Sequence, residues 1–204
     1  LPEQYWYHMS KLLVLDSVES RKQRFMTLRD VLAAYMPASI RLAWRALAIA
    51  LAVGIPIGVL SALHQNRFID NAGRFLSLLG VSVPSFILAS VVIYVFVRRL
   101  EWLPATEWME GFWLMWVPAA CLAAFPFAAI MRLTRASMLS VLSEDYMRTA
   151  VAKGVPRFRV VVRHGLRNAL VPVVTYLGPV VAGLLTGSLV IEKIFAINGI
   201  GRLF

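Results

Sequence analysis

The chain has 204 residues, of which 59% are hydrophobic and only 16% charged, with a formal net charge of +10 at pH 7. A mean hydropathy of +0.70 excludes a lone soluble globule, which needs more polar surface than this composition supplies. The cations sit between apolar runs rather than across a polar face, and no nucleic-acid-binding module is recognisable, so no nucleic acid partner is expected.

In chain order, no cleavable signal peptide precedes Leu1-Pro2-Glu3 and no tail follows Gly201-Arg202-Leu203-Phe204, so both ends are expected to be cuts in a longer protein. Residues 1–38 read as an extracytoplasmic segment and residues 39–204 as a membrane core. A hydrocarbon layer about 30 Å thick takes roughly 20 helical residues, and four apolar stretches reach that length. They run over about residues 40–63, 75–97, 112–131 and 169–191. The expected fold class is therefore an all-α, polytopic transmembrane bundle. Cys121 lies inside the third stretch and cannot form an internal disulfide, while His8, His64 and His164 lack any ligand spacing. Neither a metal nor a cofactor is expected.

Lysine and arginine collect on the cytoplasmic side of membrane proteins. Arg67 and Arg74 lie between the first two stretches, and Arg132, Arg135, Arg148, Lys153, Arg157, Arg159, Arg163 and Arg167 lie between the last two. Both connections are expected to face the cytoplasm. The connection between the second and third stretches offsets Arg98 and Arg99 with Glu101, Glu107 and Glu110, and carries Trp102, Trp108, Trp113 and Trp116 as expected interfacial anchors. It is expected outside. The first residues partly break the rule with Lys11, Arg21, Lys22, Arg24 and Arg29, accompanied by Glu3, Asp16, Glu19 and Asp30.

Prolines recur within the stretches, at Pro56, Pro84, Pro118, Pro126, Pro172 and Pro179. Each removes a backbone donor and kinks its helix, which is tolerated in a membrane where neighbours or water take the freed carbonyl. Ser82-Val83-Pro84-Ser85 places two hydroxyls beside one kink, a candidate wall of a polar path together with Thr175. Gly178, Ala182, Gly183 and Gly187 on the fourth stretch are expected to serve close helix packing.

The connection over about residues 132–170 reads as two helices and a turn. Ser143 is the expected N-cap of the first, Glu144 and Asp145 favour its positive end, Lys153 its last turn, and Gly154 follows as the C′ residue. Pro156 suits the first turn of the second helix, which carries Arg159, Arg163 and Arg167 at steps of four and merges with the fourth stretch. Such a short helix fits a groove on a soluble partner; the simpler alternative is a loop resting on anionic headgroups.

The run Asp145-Tyr146-Met147-Arg148-Thr149-Ala150-Val151-Ala152-Lys153-Gly154, followed by Arg163-His164-Gly165-Leu166-Arg167-Asn168-Ala169-Leu170-Val171-Pro172, resembles the cytoplasmic EAA loop of permease subunits from binding-protein-dependent ABC importers. Within them it is most similar to the oligopeptide, dipeptide and nickel branch. Gly54-Ile55-Pro56-Ile57-Gly58, Gly80-Val81-Ser82-Val83-Pro84-Ser85-Phe86, and Gly187-Ser188-Leu189-Val190-Ile191-Glu192-Lys193-Ile194-Phe195 with Gly199-Ile200-Gly201-Arg202 agree with it. Arg148-Thr149-Ala150 replaces the Glu-Ala-Ala of the broad pattern, and Asn198 stands where many peptide permeases have proline. The family has six spans, of which the first and last are absent here.

The resemblance implies a type I importer permease that pairs with a second, different permease subunit, two cytoplasmic ATPases and an extracytoplasmic solute-binding protein delivering a peptide. It assigns ATPase coupling to Glu144, Asp145, Tyr146, Arg148, Thr149, Ala150, Lys153 and Gly154. The chain contains no Gly-x-x-x-x-Gly-Lys-Ser/Thr loop, so no ATP-hydrolysing activity of its own is expected. Rival readings are a nickel importer permease and an ion-coupled secondary transporter. The latter commonly carries ionisable groups at mid-membrane, and the middles of these four stretches hold no Asp, Glu, Lys or His.

Overall fold

The computed structural model describes residues 5–6, 27–105, 108–109, 111, 113–186 and 189–203, and among these it contains helices and no strand. The expectations placed on Lys11, Arg21, Lys22, Arg24, Glu107, Glu110, Gly187 and Ser188 lie outside the described residues. Helix α1 covers Leu28–Leu63 and starts well before the expected residue 40. The reason is a capping box: the Thr27 side chain accepts from the Asp30 amide at 3.3 Å, and the Asp30 carboxylate accepts from the Thr27 amide at 3.1 Å. Pro37 and Pro56 are carried inside this helix, and the boundary expected at residues 38/39 falls within it.

The second apolar stretch is a pair of helices broken at Pro84. It is α2, Phe68–Ser82, and α3, Ser85–Val92, the latter continued by a π-helical turn over Ile93–Arg99, with the two halves bent by 97°. The break follows from the sequence: Val83 is extended (φ −96°, ψ 114°), as a residue before proline prefers, and Pro84 supplies no amide to carry α2 onward. Helix α4, Trp116–Leu142, continues beyond the expected end at residue 131 and includes Arg132 and Arg135. The fourth stretch is α7, Val171–Leu185, followed by the short α8, Leu189–Ile194. Among the described residues, three helical stretches are long and apolar enough to cross a membrane, or four if the bent pair counts as one.

The centre of the bundle is the pairing of α1 with α4, against which α2 packs. Gly54 and Gly58, four apart on α1, make that approach possible. A Cβ at Gly58 would lie 2.7 Å from the Met131 carbonyl oxygen and 2.7 Å from the Thr134 Cβ. Gly80 does the same for α2, where a Cβ would lie 2.6 Å from the Ala124 carbonyl oxygen. Among the described residues nothing packs on Gly178 or Gly183: both are exposed, and a Cβ at either would meet no atom within 4 Å. Of the expected tryptophan anchors, Trp102 and Trp113 are exposed, whereas Trp108 is buried edge-to-face on Phe195 at 4.9 Å and Trp116 lies against Trp44. Cys121 is buried within α4, as expected.

Candidate coupling loop and translocation path

Past α4 the chain turns into α5, Asp145–Ala152. Ser143 is not its N-cap: it closes α4, its hydroxyl donating to the Ser140 carbonyl at 2.6 Å, and the extended Glu144 occupies the N-cap position instead. The other end matches the expectation. Gly154 takes φ +77°, its amide donates to the Val151 carbonyl at 2.9 Å, and the Val155 amide donates to the Ala150 carbonyl at 3.2 Å. These are the two bonds of a Schellman motif around a left-handed glycine. Pro156 is the N-cap, rather than the first turn, of the helical run over residues 157–169, here α6. The middle of α6, Val160–Leu166, is π-helical, and Arg159, Arg163 and Arg167 are all exposed.

Two contacts hold α5 to its neighbours. Met147, its one buried residue, reaches into the space over Gly165, where a Cβ would lie 3.2 Å from the Met147 Cε and 2.9 Å from the Met138 Cε. The Asn168 side-chain amide donates to the Tyr146 hydroxyl at 2.9 Å. The remaining surface is free of the bundle: Glu144, Asp145, Arg148, Thr149 and Lys153 are exposed, Ala150 is half-buried, and Thr149 returns its hydroxyl to the Asp145 carbonyl at 3.0 Å. Val151 and Phe158 add exposed apolar area at 55% and 79%. The sequence pattern assigned no role to Met147, Gly165 or Asn168, which aim the helix.

A brace links this end of the molecule to the bent span. The Asp70 side chain on α2 is fully buried, and it accepts from Arg135 Nε at 2.6 Å and Arg135 Nη2 at 2.8 Å, a bidentate pair between α2 and α4. The Asn66 amide adds a third bond at 2.9 Å, and Arg74 approaches to 3.3 Å. The turn at residues 64–67 and the loop after α4 therefore lie at the same end of the bundle, as the charge pattern requires. The sequence signal for Asp70 was an acid at the head of an apolar run, between Arg67 and Arg74.

The opposite end is closed by residues 189–203, folded onto α1 and α3. The buried Glu192 carboxylate accepts from the Ser39 hydroxyl at 2.8 Å and from the Arg202 amide at 3.1 Å, while the Ser39 oxygen accepts from the Ile200 amide at 2.8 Å. Gly199 is required here because a Cβ would fall on the Glu192 carboxylate.

Between these ends, the bend of the second span faces α4 and α7 across a cavity of about 490 Å³. Pro84 and Ser85 line it, with Phe125 and Pro126 from α4 and Tyr176 and Pro179 from α7. The other two path candidates are placed differently. Ser82 is exposed at the end of α2, and Thr175 is exposed with its hydroxyl donating to the Val171 carbonyl at 3.1 Å, one residue from the wall.

The chain matches the binding-protein-dependent transport system inner membrane component family over residues 54–204. It belongs to that family. The permease shares 45% identity over 201 residues with the dipeptide transport system permease protein DppB of Bacillus subtilis, covering 98% of this chain and 65% of that protein. It shares 41% over 205 residues with the oligopeptide transport system permease protein OppB of Haemophilus influenzae, covering 100% of this chain and 67% of the relative. With the glutathione transport system permease protein GsiC of Pectobacterium atrosepticum it shares 40% over 204 residues, covering 100% and 66%. The chain thus spans about two thirds of the length of these relatives. The α-helical, apolar fold fits an inner membrane component of a binding-protein-dependent transport system.

Proposed function

We propose that this chain forms half of the translocation path of an ATP-driven peptide importer and takes its energy from cytoplasmic ATPases through α5. The observation that carries the reading is the presentation of α5: a short helix anchored by Met147 and Tyr146, with its remaining polar and apolar side chains turned away from the bundle. Relatives named for dipeptide, oligopeptide and glutathione transport support the peptide class.

In this reading residues 1–38 lie outside, the loops at 64–67 and 143–156 lie in the cytoplasm, and a second, different permease completes the path. Two ATPases engage α5, and a solute-binding protein delivers peptide at the end closed by residues 189–203. ATP binding falls to the separate ATPases, since no Gly-x-x-x-x-Gly-Lys-Ser/Thr run occurs in this sequence. Closure of the ATPase pair displaces α5, and the Asp70–Arg135 brace carries the displacement from α4 into α2 and the bend at Pro84. Alternation of this kind needs two packings of similar free energy, which the ligands bias.

The test is reconstitution of the full-length permease with a second permease, two ATPases and a solute-binding protein. ATPases retained in mild detergent, hydrolysis stimulated by loaded binding protein, and uptake of labelled peptide are expected. Solute uptake that proceeds without ATPases would overturn the assignment.

A further inference from the structure

Three prolines from three different elements converge on the 490 Å³ cavity: Pro84 at the bend, Pro126 inside α4 and Pro179 inside α7. A proline has no amide to offer the carbonyl four residues earlier, whether it sits inside a helix, as Pro126 and Pro179 do, or just past the end of one, as Pro84 does. The carbonyls left without that donor belong to Gly80, Leu122 and Thr175. Gly80 and Leu122 themselves line the cavity, and Thr175 immediately precedes the lining Tyr176. The rings of all three prolines line the cavity. At the bend, the first amides of α3 have no intrahelical acceptor either. A backbone group left unbonded in the hydrocarbon region is costly, and irregular backbone at that depth is tolerated where it lines a cavity.

Among the described residues the wall has no charged side chain, and its side-chain polar atoms come from Ser85 and Tyr176. A ligand that fits such a wall presents amide N–H donors at intervals and makes no demand for a fixed charge. That is the main chain of a peptide. We propose that the permease recognises passing peptide by its backbone, through the proline-freed carbonyls of Gly80, Leu122 and Thr175. The inference rests on the peptide reading above and adds the feature that would let one path accept unrelated side chains.

The experiment uses the full-length permease in its complete complex, in proteoliposomes, with saturating binding protein. The probes are labelled tri-alanine and the same tripeptide N-methylated at both peptide bonds, which removes the donors. Pro126→Ala and Pro179→Ala each restore an amide that takes up the Leu122 or Thr175 carbonyl. Each is expected to lower tri-alanine uptake about fivefold more than it lowers uptake of the methylated peptide, the worth of one hydrogen bond. An equal loss for both peptides, or no loss for either, would overturn the proposal while leaving the peptide reading intact. Failure of the wild-type complex to take up tri-alanine would overturn both. Should the variants not assemble, the wild-type complex still decides. Its uptake preference for the unmethylated peptide is expected to exceed the preference of the isolated binding protein for the same pair, and equality would refute the role of the carbonyls.

Discussion

Replacing Arg135 by alanine tests how the cytoplasmic end of this bundle is held. The Asp70 side chain has 0% exposure and the Arg135 side chain 19%, and the pair is joined by two bonds of 2.6 and 2.8 Å. Removing the guanidinium leaves the carboxylate with the Asn66 amide at 2.9 Å and with Arg74, which is 3.3 Å away and 48% exposed. Breaking a buried pair from one side commonly costs about 3–5 kcal/mol, because a charge stays buried without its partner. Arg74 offsets part of this, so Arg135→Ala is expected near the lower figure, about 3 kcal/mol. Asp70→Asn keeps an acceptor and leaves Arg135 within reach of water, so a smaller loss of about 1–2 kcal/mol is expected. Arg148→Ala serves as the control: its contact with Asp145 is 3.9 Å long, between side chains 76% and 99% exposed, and no measurable change is expected. Reversible unfolding in mixed micelles, titrated with a denaturing detergent, reads these differences directly. An Arg135→Ala loss below about 0.5 kcal/mol would place the brace among ordinary surface pairs and remove it from the coupling route.

Gly154→Val, placed at φ +77° with open space around its Cβ, is expected to strain only the backbone; matched complexes should assemble normally yet lose stimulated hydrolysis and uptake, with Gly154→Asn milder because asparagine enters this conformation more readily. Gly58→Val sets a side chain against the Met131 carbonyl and should markedly lower the yield of folded protein, whereas Gly178→Ala, facing nothing in this chain, should leave stability of the isolated subunit unchanged; equal behaviour of the two in a thermostability assay would contradict the α1–α4 packing. A cysteine at Arg157 should react with an impermeant thiol reagent only in inverted vesicles, while the buried Cys121 stays inert; labelling of position 157 in intact cells would reverse the proposed orientation. Cysteine at Ser85 should be modified by small thiol reagents and protected by trapped peptide, and inertness there would argue that the cavity is closed to solute.

Composition and periodicity by themselves determined the all-α membrane class, the number of apolar stretches and the shared end of the two basic loops, because bilayer thickness sets a length of apolar helix that few other environments require. Local chemistry determined Gly154 as well, since a glycine after a short helix with an acid in its first turn answers a backbone need that reaches no further than a few residues. Helix ends were less legible: the Thr27–Asp30 capping box and the continuation of α4 past Met131 depend on small competitions that hydropathy does not weigh. What only the tertiary structure decided was which residues meet. Asp70 finds Arg135, Glu192 finds Ser39, Met147 finds Gly165, and three prolines spread along the chain open onto one cavity. Each pairing joins positions far apart in sequence or on separate elements. Their partners are set by how closely α1, α2 and α4 can approach at Gly54, Gly58 and Gly80, and no local pattern encodes that packing.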